Sequence, residues 1–77
     1  VDIVDPQVDA DNFARENKVN VFNKILYDRK YDVIIVCVAH KEFKNIHIEK
    51  WKFLIKGKGF IFDIKGIVPR SLNPIRL

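Results

Sequence analysis

The stretch YDVIIVCVAHKEF, residues 31–43, decides how this chain is expected to fold. Residues 33–39 are apolar without a break, and polarity returns at once with His40, Lys41 and Glu42. Seven residues make a poor helix when Val and Ile fill the first four places. A continuous β-branched run fits a strand covered on both faces, as a central strand of a parallel sheet is. Either the strand simply ends at His40, or it exists to present His40 and its neighbours to a ligand.

Working outward, Val1 to Val4 reads as a short strand stopped by Asp5-Pro6, where proline removes a donor and turns the chain. Asp9 or Asp11 can cap a helix of one or two turns, with Ala10, Phe13 and Ala14 at i, i+3, i+4. Residues 18–21 offer another short strand. Phe22, Ile25 and Leu26 repeat the helical spacing, predicting a second helix that ends near YDRKYD. Beyond the opening stretch, Ile48, Trp51, Leu54 and Ile55 share one helical face. KGKG is expected to end that helix, a glycine taking the left-handed position. FIFDI, residues 60–64, predicts a last strand broken by Lys65-Gly66, and residues 68–77 read as an irregular tail.

Strands alternating with helices over short connections predict an α/β fold, a three-layer parallel sheet with flanking helices. Ligands of such folds lie beyond the carboxyl ends of the strands. Asp5-Pro6, His40-Lys41-Glu42 and Lys65-Gly66 all follow strands, so they should share one edge.

The 77 residues bound this to a single domain, near the lower limit for a self-sufficient core. With 48% hydrophobic and 31% charged residues the composition is globular. No run approaches the roughly 18 apolar residues of a membrane span, and the acidic N-terminal stretch is no signal peptide. One cysteine excludes an intrachain disulfide, and no zinc-ligand spacing occurs. The expected setting is cytoplasmic, without a membrane partner. The absence of Met and the start directly on a strand suggest a piece of a longer chain. Charge is uneven, −2 over residues 1–38 and +6 over 39–77. A basic half suits nucleic acid, a membrane surface or a phosphorylated ligand, but it is more often a solvated face.

Lys65 just past a buried strand suits a phosphate, with Gly66 letting a backbone come close; the alternative is an ordinary solvated lysine. His40 could touch phosphate or ribose or titrate, or it could be a structural residue bonded to nearby backbone. Asp63, inside the last strand, reads as structural, orienting Lys65 or capping a neighbour. Cys37, in the middle of the apolar run, reads as a small buried hydrophobe rather than a nucleophile. Trp51 and the Phe residues of FIF fall at core spacing, not on a base-stacking face. No glycine-rich phosphate loop, Ser-His-Asp set or carboxylate pair is present. The chain alone carries no catalytic constellation.

In VDIVDPQVD, YDVIIVCVAHKEF and GFIFDIKGIV, taken in that order, the chain resembles the C-terminal, UDP-binding domain of the UDP-glucose/GDP-mannose dehydrogenase family. The form VCVAHKEF looks closer to its bacterial branch acting on UDP-N-acetylhexosamines, of the Vi-antigen type. The resemblance implies a Rossmann-like domain of an NAD-dependent 6-dehydrogenase, which oxidises a sugar C6 alcohol to a carboxylate. NAD and the cysteine nucleophile belong to other parts of such enzymes, so Cys37 is not that nucleophile and this fragment holds no NAD. Lys65 falls where relatives place a basic residue that contacts substrate, and Gly66 and His40 accompany it as weaker substrate-binding candidates. The implied partners are a UDP-sugar and the remainder of the dehydrogenase chain, in a homo-oligomer, with no nucleic acid. One departure matters. The family's domain opens with a strand ending in a Gly-Leu-(Thr/Ala)-(Phe/Tyr)-Lys type motif and a helix, and this chain starts after both. It is therefore expected to bind UDP poorly and to expose apolar surface. The competing reading is a stand-alone basic α/β module for nucleic acid or a protein partner.

Overall fold

The computed structural model describes residues 1–76. The chain runs β1 (Asp2–Val4), α1 (Ala10–Asn17), β2 (Asn20–Phe22), β3 (Tyr31–Val36), α2 (Lys41–Lys44), α3 (Ile48–Leu54), β4 (Ile55–Asp63), a 3-10 turn (Arg70–Leu72) and β5 (Ile75–Arg76). Every strand pairing is parallel, as an α/β fold requires, but the strands form two sheets, β1-β2 and β3-β4-β5.

Asp9 caps α1, its carboxylate accepting the Asn12 amide at 3.3 Å, and the helix ends at Lys18 in the left-handed region. The second expected helix does not form. Residues 23–30 are turns and irregular backbone, and Asn23 spends its amide across the loop after β1 instead. Ile25 and Leu26 face a groove rather than a helical seam.

The opening stretch is a strand, but not a central one. β3 stops at Val36 and forms the edge of its sheet. Ile34 and Val36 point to the core with Ile61 of β4, and α3 covers this face with Trp51. The opposite face carries Val33, Phe60 and Ile75, and Ile35 is 60% exposed there. The expectation of two covered faces fails because no helix packs on this side. Cys37 follows the strand and is exposed, not buried within it. A groove of about 490 Å³ runs along the open edge of β3 toward β1, lined from the β1-β2 side by Ile3 and Phe22.

Both ends of the groove are closed by polar contacts. At the amino ends the Tyr31 hydroxyl donates to Asp2 Oδ2 at 2.6 Å, and Arg29 joins the same oxygen at 3.3 Å. Beyond the carboxyl ends His40 Nε2 lies 3.7 Å from Asp5 Oδ1. Contacts at like ends of β1 and β3 mean that the two sheets run in the same direction.

KGKG does not end the helix. α3 stops at Leu54, Ile55 is already extended, and both glycines lie within β4. The register jumps from Tyr31↔Ile55 to Val33↔Phe60, so residues 56–59 form a bulge. Gly59 is there for space: a Cβ would stand 2.6 Å from the Asp32 carbonyl oxygen. The tail also differs from expectation. Its 3-10 turn packs Leu72 against the core, and β5 extends the sheet beside Phe62 and Asp63. Proline and asparagine interrupt it too often for any periodicity to appear. Leu77 of that tail lies outside the described residues.

Gly59→Ala should destabilise the chain by about 1–3 kcal/mol, because the contact is with backbone and cannot be relieved by a rotamer. Gly57→Ala, with open space around it, should instead stabilise by about 0.4–1 kcal/mol, both read from urea midpoints. The Asp2 carboxyl is held below the usual carboxylate range, first by the Tyr31 hydroxyl and then by Asn20 and Arg29. A depressed carboxylate stabilises the fold above its unfolded pKa and loses that contribution as pH falls through its folded value. Tyr31→Phe should therefore cost about 1–2 kcal/mol at neutral pH. The gap between variant and parent should close in acid, which denaturation at stepped pH would read.

Candidate functional site

Three loops follow the carboxyl ends of β1, β3 and β4. The first is set by β1 and β2: the Asp5 amide donates to the Phe22 carbonyl at 2.9 Å, and Asp5 Oδ1 accepts the Gln7 amide at 2.9 Å. Asn23 Nδ2 ties the same loop by donating to the carbonyls of Asp5 and Val8, at 3.0 and 2.8 Å.

The second loop follows β3. His40 has extended backbone and stands at the N-cap of α2, its carbonyl accepting the amides of Phe43 and Lys44. Its side chain does not cap the helix. The ring is held edge-on to Phe43 at 5.7 Å, with Nε2 turned to Asp5. At 3.7 Å this is an ion-pair distance rather than a hydrogen bond, so its strength depends on the protonation of His40.

The third loop follows β4 and is the most tightly built. The Ile64 amide donates to the Val36 carbonyl at 3.1 Å, carrying the β3–β4 pairing past the strand end. Asp63 is fully buried, and its carboxylate accepts three backbone amides: Gly66 at 2.9 Å, Ile67 at 3.2 Å and Val68 at 2.8 Å. The chain can wrap round its own carboxylate this way because Gly66 takes φ +71°, a conformation costly for residues with a Cβ. Arg76 of β5 completes the arrangement. Its Nη2 donates to the Val68 carbonyl and lies 3.5 Å from Asp63 Oδ2.

His40 is thus brought to Asp5, while Lys65 and Gly66 occupy the loop after the neighbouring strand. Among the described residues no hydrogen bond or ion pair joins Lys65 to His40 or Asp5, and Lys65 is exposed. The amides of Gly66, Ile67 and Val68 are turned inward on Asp63. They are not donors for a bound anion, so a phosphate at this loop would meet the Lys65 ammonium. Sequence reasoning missed Arg76 and Asn23. A carboxylate inside FIFDI was the available signal for the first, since a buried charge demands a cation or several donors. Among the described residues no group of His, Cys, Asp and Glu is placed to hold a metal, and no helix is long and apolar enough to cross a membrane.

Parallel strands that deliver polar loops to one edge match what the sequence motifs implied. The UDP binding domain of the UDP-glucose/GDP-mannose dehydrogenase family matches residues 1–70. The chain belongs to this family. A UDP-N-acetyl-D-glucosamine 6-dehydrogenase of Salmonella typhi is 35% identical over 77 residues, all of this chain. Another of the same name from Pseudomonas aeruginosa is 32% identical over the same span. This UDP-binding domain spans only 18% of the length of either relative. No solved structure matches it.

Asp63→Asn tests the third loop. An amide oxygen can accept from Gly66 and Ile67, but the NH2 then sets a donor against the donors of Val68 and Arg76, and the neutral side chain forfeits the ion pair in either orientation. The loss should be about 2–4 kcal/mol, a mismatch of buried polar groups, measured by chemical denaturation.

Proposed function

We propose that this chain is the nucleotide-positioning domain of an NAD-dependent UDP-sugar 6-dehydrogenase, with a UDP-N-acetylhexosamine as the favoured substrate and UDP-glucose as the alternative. The observation that carries this reading is the contact of His40 with Asp5 beyond parallel strand ends, with the Lys65 loop following the neighbouring strand, in a chain of this family. In that role Lys65 holds the pyrophosphate as a point charge, on a loop fixed by Asp63. Holding the nucleotide fixes where the sugar C6 can lie, and such positioning alone can supply several kcal/mol. His40, steadied by Phe43 and Asp5, stands at the neighbouring strand end as a secondary contact.

NAD, the oxidant of the proposed reaction, accepts hydride and is not assigned to this domain. The turn between β1 and α1 does not fit it: residues 5–9 contain no glycine, and the Asp9 carboxylate already occupies the helix N-terminus. The proposed partners are the UDP-sugar and the remainder of the dehydrogenase chain, within a homo-oligomer. A nucleic-acid role has less support. Lys50 lies over the Tyr27 ring, Lys52 pairs with Glu49 and Lys56 with Asp32, so these cations do not form an open basic stripe.

Titration of the 77-residue chain with UDP, followed by amide chemical shifts, should move Asp5, His40 and Lys65 together at about millimolar affinity. In the full-length dehydrogenase Lys65→Ala should raise the substrate KM about tenfold, the worth of one charge-assisted contact. Unchanged KM and kcat would remove Lys65 from the site.

A further inference from the structure

Lys65 stands two residues after a buried carboxylate, on a loop that the same carboxylate organises. An exposed ammonium this close to Asp63 has a choice of direction. It can fold over the loop toward the negative charge, or it can point away and meet a ligand. Which one it does depends on how completely Asp63 is neutralised by other groups. Three amides contribute, and among the described residues the one full positive charge on it is Arg76, 3.5 Å from Oδ2.

The placement of Arg76 is specific. Its register partner across the sheet is Asp63 itself, which brings the guanidinium alongside the turn. Nη2 spans Asp63 and the Val68 carbonyl, while Nη1 lies 3.8 Å from where a Gly66 side chain would begin. One nitrogen thus contacts both the first and the last residue of the segment 63–68. Arg76 Nε is buried with no hydrogen-bond partner among the described residues, so the side chain is held there by the contacts of Nη2 despite that cost.

We propose that Arg76 is a positioning residue for the nucleotide site: by neutralising Asp63 and fixing the Val68 carbonyl it sets the loop of residues 64–68 and keeps Lys65 directed outward, toward the nucleotide phosphates. This rests on the reading of Lys65 given above. Arg76 acts through Lys65 and is not itself a substrate contact.

The test is a double-mutant cycle in the full-length dehydrogenase, with Lys65→Ala, Arg76→Ala, the double variant and Arg76→Lys. KM for UDP-N-acetylglucosamine, kcat and competitive inhibition by UDP are the readouts. Arg76→Ala should raise KM by most of the factor seen for Lys65→Ala, about tenfold, with kcat within about twofold. The double variant should be no worse than Lys65→Ala alone, since the second change then acts on a contact already lost. Guanidinium ion at millimolar concentration should lower the raised KM of Arg76→Ala, and methylammonium should not. If Arg76→Ala does not fold, Arg76→Lys carries the same cycle, keeping the charge while losing the planar guanidinium. Effects of the two single variants that multiply in the double variant would make Arg76 a direct contact and overturn the proposal. A silent Arg76 variant beside a strong Lys65→Ala effect would overturn it while leaving the site intact. A silent Lys65→Ala would overturn the site and the proposal together.

Discussion

A carboxylate with no solvent exposure governs the better-built half of this molecule. Removing an ion from water costs several kcal/mol unless the interior returns comparable interactions. Asp63 recovers them from three successive amides and a guanidinium, and each recovery fixes a piece of backbone. The amides fix the turn at residues 66–68, and the guanidinium fixes β5, which would otherwise be a two-residue strand with little to hold it. Val68, buried beside Val36, Trp51 and Ile61, then joins the turn to the core. A loop that would ordinarily be mobile becomes an extension of the sheet. The same arrangement limits what the loop can bind, because the anion that its amides enclose is its own.

The other half is held differently. β1 and β2 pair with each other, and among the described residues polar groups at the two ends of the groove link them to β3. Between those ends lies an apolar groove rather than a ladder of hydrogen bonds. Parallel sheets are normally buried on both faces, and their strands read as continuous apolar runs for that reason. The run at residues 33–39 has the composition of such a strand in a place where only one face is covered. Its sequence therefore states more burial than this chain supplies. The alignment of the two carboxyl edges rests on a tyrosine, a histidine and two aspartates, so the polar contacts do the work that strand pairing would do.

How far the sequence could be read follows from the range of each interaction. Local signals were sound. Asp9 caps α1, Trp51 and Leu54 form the buried face of α3, and β1 and β4 end at or within one residue of the expected breaks, whereas β3 stops at Val36, three residues before the expected end. The failures share one cause, which is contact between residues far apart in the chain. Phe22, Ile25 and Leu26 have helical spacing, but Asn23 between them bonds backmost to the loop after β1. KGKG looks like a helix stop, while Gly59 is needed because the Asp32 carbonyl comes too close for a side chain. β5 could not be inferred from two residues, since what makes it a strand is the pairing with Phe62 and Asp63. That His40 and Lys65 come after strands could be read from the chain, because the polar breaks are local. The contact of Arg76 with Asp63 could not, because it joins residues of two strands.

The uneven charge can now be understood residue by residue. A count of +6 over residues 39–77 describes a basic surface only if the cations lack partners. Lys52 and Lys56 have acids within 4 Å, Lys50 lies on an aromatic ring, and Arg76 is committed to Asp63. Such pairs are worth little at the surface, yet each fixes where its charge points. Lys65 differs in that its nearest acid along the chain is already neutralised from the opposite side. A cation next to a satisfied carboxylate projects its field into solvent; next to a bare one it would collapse inward. The net charge of the domain would be the same in both cases, so it is the pairing of Asp63, and not the number of lysines, that decides how much positive field this edge presents.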